Sequence, residues 1–217
     1  LDVRETNTAA TSSSTPTTRP VRLNRPTLIF FTSELADLLE AGLPVQQALT
    51  VMAEKQQHPG IRQVSARTRL YLQDGATLSA SFRQASPSFD DLYTSLVAAG
   101  EASGALDDIL KRQAHYLKTL AELQARLHLV KGNSLFASKK YEAAMSTYLR
   151  VPVFFGSETE IVPKAMLGAA RSFRGMDSPA LRDQKLETVA NRYLYDIIVS
   201  YPVSKEAEEA KDPKRTI

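Results

Sequence analysis

Apolar residues recur along most of this chain at steps of three and four, the period of an amphipathic helix. The first such run carries Phe31, Leu35, Leu38 and Leu39 on one face and closes at Ala41-Gly42-Leu43-Pro44, a glycine stop followed by a proline suited to a helix start. A second run holds Val45, Ala48, Leu49 and Met52 until His58-Pro59-Gly60, and a third holds Ile61, Val64, Thr68 and Leu72 until Asp74-Gly75. A short fourth passes through Leu78 and Phe82. The fifth begins after Ser86-Pro87-Ser88, with Ser88 and Asp91 spaced as a capping box and Leu92, Leu96 and Val97 on one side. The stretch from Ala99 to Gly104 interrupts it. No proline then appears until Pro152, and Leu106, Leu110, Leu117, Leu120 and Leu127 predict one long amphipathic helix, near-continuous to about Phe136. No alternating Val/Ile/Thr run occurs in this region, so residues 28–127 read as an antiparallel six-helix bundle.

The pattern changes beyond residue 127. Leu129, Gly132, Leu135 and Phe136 complete one helix, Ser138-Lys139-Lys140 makes a turn, and Tyr141, Ala144 and Tyr148 make a second helix ending near Val151-Pro152. A weaker echo places Ala165, Leu167, Gly168, Ala170 and Phe173 on one helix and Ala190, Tyr193, Leu194, Ile197 and Ile198 on its partner, closed by Ser200-Tyr201-Pro202. Gly132 and Gly168 are equivalent in this echo. Such a period, with small residues where paired helices touch and aromatics filling the gaps, predicts a short helical solenoid over residues 128–217. The expected fold is therefore all-α.

Composition narrows the function. The 217 residues include 43% hydrophobic and 24% charged side chains, an ordinary globular mixture, except that residues 1–27 are rich in Thr, Ser and Pro and read as a disordered linker. Lys and Arg number 27 against 24 Asp and Glu, too even a balance to suggest nucleic acid as a partner. Residues 28–127 hold nine basic and eleven acidic side chains and residues 128–217 fourteen and eleven, so the two units differ in sign. The absence of cysteine excludes disulfides, thiolate metal sites and a cysteine nucleophile. No apolar stretch is long enough for a membrane span, and neither an initiator Met nor a signal peptide is visible.

Three segments of the first unit resemble, in order and wording, the cytoplasmic F domain of inner-membrane platform proteins from type II secretion systems and type IV pilus machines. Phe31 through Met52 is similar to that family's opening helix pair around an L-x-x-G-L-P-L-x-x-A-L pattern, and Leu70 to Phe82 to its G-x-x-L-S-x-A-F segment. Pro87 to Leu110 resembles its stretch ending A-G-E-x-S-G-x-L-x-x-x-L. The resemblance implies an all-helical bundle with a structural, non-enzymatic role. It would sit at the cytoplasmic side of a bacterial inner membrane and meet the secretion or pilus ATPase and other platform components. That family continues into a transmembrane segment and a second copy of the domain, whereas this chain runs from Leu127 into Gly132 and the second helical pattern. That pattern is similar to tetratricopeptide repeats, with Gly132, Leu135, Tyr141, Ala144 and Tyr148 at matching positions. Tyr201 to Ala207 resembles the Y-P-x-S-x-x-A junction of such repeats in bacterial envelope scaffolds, so this segment alone would also suit the periplasm. The alternative is a soluble repeat scaffold in which the bundle serves homodimerisation.

Candidate chemistry is sparse. Glu101, in the glycine-flanked break, is followed by Asp107 and Asp108, and a hard cation such as Ca²⁺ could bridge Glu101 and Asp107. In the plainer reading the two aspartates favour the first turn of the next helix and Glu101 pairs with a base. The resemblance marks Glu101 as an interaction residue, with Asp107 and Asp108 beside it on the partner-binding surface. Lys131, Lys139 and Arg150 form a basic set that could attract an acidic peptide, or serve as a solvated face. His58, His115 and His128 have no ligand spacing, and no serine elbow or phosphate loop occurs, so no catalytic constellation and no required cofactor is expected.

Overall fold

A computed structural model describes residues 20–176 and 184–212. Ten helices occupy them: α1 (Arg25–Glu40), α2 (Val45–Lys55), α3 (Pro59–Gln73), α4 (Leu78–Ala85), α5 (Asp91–Ser103), α6 (Leu106–Ala137), α7 (Tyr141–Phe154), α8 (Val162–Gly175), α9 (Gln184–Ser200) and α10 (Lys205–Ala210). Among the described residues there is no strand, as the helical periodicity predicts.

Five helix starts, those of α1, α3, α4, α5 and α10, are set by side-chain caps. The Asn24 side chain accepts from the Thr27 amide at 2.9 Å, which sets α1 going at Arg25, with Pro26 in its first turn. The expected linker over residues 1–27 is thus too long. Leu23 is buried, its amide donates to Ser88 Oγ at 2.7 Å, and Ser86 Oγ donates to the Val21 carbonyl at 2.6 Å. The rest of that linker lies outside the described residues.

Those bonds also displace the expected capping box. Ser88 is committed to Leu23, and α5 is capped instead by Asp90, which accepts from the Tyr93 amide at 2.8 Å. The break expected from Ala99 to Gly104 is likewise narrower. Helix α5 continues through Ser103, and Gly104 ends it at φ 71°, in the left-handed region where a side chain would be strained. Pro152 does not stop α7, which runs on to Phe154. A proline so near a helix end forfeits only one hydrogen bond of the last turn.

Two apolar cores form. The first gathers Phe31 and Leu35 of α1, Leu49 and Met52 of α2, Ile61 and Val64 of α3, Leu78 and Phe82 of α4, Tyr93 and Val97 of α5, and Leu110 of α6. Phe82 lies at its centre, stacked on Phe89 with ring centroids 4.5 Å apart and edge-on to Phe31 and Tyr93 at 5.8 and 5.9 Å. The Tyr93 hydroxyl is buried 3.0 Å from Thr32 Oγ, and burial pushes its pKa above the ordinary phenol range despite that bond. The second core gathers Ala121 and Ala125 of α6 with side chains of α7, α8, α9 and α10.

Helix α6 serves both cores, changing over between Leu117 and Ala121, ahead of the division expected at residues 127 and 128. Helix α1 spans them too. Ile29 packs on the second core, and the Arg25 guanidinium donates to the Gln124 side chain.

Candidate functional site

Glu101 stands on the last turn of α5 and is half-buried. Its two carboxylate oxygens accept from the backbone amides of Leu78 at 2.6 Å and Ser79 at 3.1 Å, the first residues of α4. Four amides at any helix start lack intrahelical partners, and a carboxylate there also meets the positive end of the helix dipole. Glu101 therefore clamps α5 to the start of α4, beside Thr77, which accepts from the Ala80 amide at 3.3 Å.

Asp107 and Asp108 occupy the first turn of α6, which has no side-chain cap. Their charge suits that end of the helix. Lys111, one turn on, forms an ion pair with Glu40 of α1. That bond, with help from Asp108 and Asp107, holds its ammonium above the ordinary lysine value. Asp108 is exposed and Asp107 half-buried, so both remain at the surface. Among the described residues no three His, Cys, Asp or Glu side chains stand where they could hold a metal ion.

The basic set divides. Lys131 of α6 and Arg150 of α7 line one notch of about 370 Å³ together with His128, Leu135, Ala143, Ser146 and Thr147. Burial, then Arg150, then Lys131, push the His128 imidazole below its ordinary pKa, so the notch is cationic without needing a charged histidine. Lys139 is not part of that notch. It sits in the α6–α7 turn at φ 58°, its amide bonded to the Phe136 carbonyl at 2.9 Å.

A second recess had no local signal in the sequence. Asn133 of α6, Lys164 and Arg171 of α8, and Glu206 and Glu209 of α10 surround a cavity of about 390 Å³. Arg171 pairs with Glu209 across it, and the Tyr148 hydroxyl donates to Asn133 Oδ1 at 2.7 Å. The Tyr148 ring separates two glycines. A Cβ built on Gly132 would lie 2.4 Å from the ring and one on Gly168 2.6 Å, so glycine at both positions lets α6 and α8 close on one aromatic of α7.

With these surfaces in place, likeness to known proteins gives them a setting. Residues 31–135 match the model of the family described as type II secretion system (T2SS), protein F. The type II secretion system protein F of Vibrio cholerae is 36% identical over 105 residues, 48% of this chain and 26% of that protein. The type IV pilus assembly protein PilC of Myxococcus xanthus is 32% identical over 100 residues, 46% of this chain and 24% of that protein. The protein F of Xanthomonas campestris is 32% identical over 127 residues, 57% of this chain and 31% of that protein. Residues 31–135 are thus similar to a domain of type II secretion protein F and of PilC. The chain spans about a quarter to a third of the length of these relatives. The match reaches residue 135, close to the end of α6 at Ala137, and so continues past residue 127 into the part of α6 that serves the second core. No helix among the described residues is long and apolar enough to cross a membrane.

Proposed function

We propose that this chain is a non-enzymatic docking module of a bacterial type II secretion or type IV pilus assembly platform. It works at the cytoplasmic face of the inner membrane, where its partner is the secretion or pilus ATPase. The observation that carries the reading is the match over residues 31–135, which covers the helices from α1 almost to the end of α6. In this reading α1–α6 form the antiparallel six-helix bundle, and the helices from the second half of α6 onward form a short tetratricopeptide-like stack. The Tyr148 ring held between Gly132 and Gly168 supports the stack, since one aromatic there interlocks three successive helices. Asp107 and Asp108 supply an acidic surface at the start of α6, and Lys131 with Arg150 a basic one near its end.

The test is a titration of the chain against the amino-terminal region of a type II secretion ATPase from the same host. An Asp107→Asn/Asp108→Asn variant is titrated alongside, with circular dichroism to follow folding. Saturable binding weakened by the double substitution supports the docking role. A folded chain that does not bind overturns it in favour of the repeat scaffold, whose mark is self-association of the full chain in sedimentation.

A further inference from the structure

Helix α6 carries a second apolar stripe that neither core uses. Ile109, Tyr116, Leu123 and Val130 recur at every seventh residue, with Leu120 and Leu127 between them. Tyr116, Leu123, Leu127 and Val130 are 48%, 54%, 68% and 64% exposed. At its amino-terminal end the stripe opens into a cleft of about 400 Å³ between α5 and α6, lined by Leu92, Leu96, Ile109, Arg112, Gln113 and Tyr116.

A 3.5-residue repeat keeps a seam turned toward a second helix over its whole length. From Ile109 to Val130 the seam runs about 31 Å at 1.5 Å per residue, room for a partner helix of about six turns. Charge selects the occupant. The positions flanking the seam carry Arg112, Arg126 and Lys131 and no Asp or Glu, and only Arg126 is shared with an acid of the same helix, Glu122 at 2.7 Å. In a parallel pair of copies Arg126 would face Lys131, and in an antiparallel pair arginine would face arginine, so a second copy meets repulsion either way. A bilayer-lying helix presents a broad apolar face with its polar residues opposite, whereas this stripe is a narrow seam ending in a cleft.

We propose that the seam from Ile109 to Val130 docks an amphipathic helix of a partner protein, apolar at heptad spacing and flanked by Glu or Asp. This deepens the docking role above and rests on it for the kind of partner. Synthetic helices test the seam itself, so its failure is distinguishable from failure to bind an ATPase.

The full chain is titrated by fluorescence anisotropy with two synthetic helices of about four heptads, both with Leu at the seam positions, one flanked by Glu and one by Lys. The Glu-flanked helix should bind at least about tenfold more tightly. Leu123→Glu/Leu127→Glu, on exposed side chains, should lose at least about tenfold of that affinity with an unchanged circular dichroism spectrum. Arg112→Glu/Lys131→Glu should reverse the preference between the peptides. Failure of both peptides to bind a folded chain, equal affinity for the two, or indifference to either double variant overturns the proposal. Seam-dependent self-association in sedimentation overturns it in favour of a second copy. Cosedimentation with phosphatidylcholine–phosphatidylglycerol vesicles in place of peptide binding overturns it in favour of a membrane surface.

Discussion

The first core is filled by large side chains meeting one another, Phe31, Phe82, Phe89 and Tyr93 among them, whereas the second brings helices together over Ala121, Ala125, Ala144, Ala165, Ala169 and Ala170, with the Tyr148 ring seated between Gly132 and Gly168. One arrangement gains stability from the apolar volume it removes from water. The other depends on how closely backbones approach, and a single added carbon can spoil it. Similar helices on one shared rod are thus held by opposite strategies, one that suffers from losing atoms and one that suffers from gaining them.

Substitutions of opposite size should separate the two. Phe82→Ala should cost about 4 kcal/mol in urea unfolding, since it empties the centre of the aromatic cluster. Gly132→Val should cost about 3 kcal/mol by driving carbon into the Tyr148 ring, and Tyr148→Leu added to it should recover part of the loss. Equal tolerance of Gly132→Val and a surface substitution would break the contrast. Glu101→Ala should cost about 1–2 kcal/mol, because it leaves the amides of Leu78 and Ser79 at the start of α4 without their carboxylate. A smaller loss for Glu101→Gln would show that one retained oxygen still caps.

The smallest effect concerns His128. Its folded pKa lies below the ordinary value of 6.5, so on acidification the unfolded chain takes up this proton first. The contribution of this histidine to stability is full above pH 6.5 and falls as pH drops from there toward the folded pKa. Arg150→Gln removes a repelling cation and should raise that pKa in an NMR titration, which would tie Arg150 to the notch directly.

Periodicity and breakers made most of the helices legible, and the proline-free run after Gly104 foretold α6 across both cores. What stayed hidden depends on partners distant along the chain. The amides that Glu101 caps lie 22 and 23 residues before it, so in sequence it reads as a lone acid beside glycines. Ser88 has the spacing of a cap, yet its hydroxyl is taken by Leu23, 65 residues away. Lys131 and Arg150 were legible as basic residues, but only the packing of α7 on α6 brings them to one notch and leaves Lys139 outside it. The Arg171–Glu209 pair spans 38 residues and leaves no periodic trace.

The unbroken course of α6 has an avidity consequence. A 32-residue helix is about 48 Å long, so its acidic start and its basic end are held at a nearly fixed separation. A partner touching both with two short segments would convert its second contact into an intramolecular event, provided its tether can reach. For a flexible tether spanning about 40 Å, the best length is on the order of 50 residues, and a much shorter one would forfeit the gain altogether. The helix thereby acts as a gauge that sorts partners by the spacing of their contact segments as well as by their chemistry.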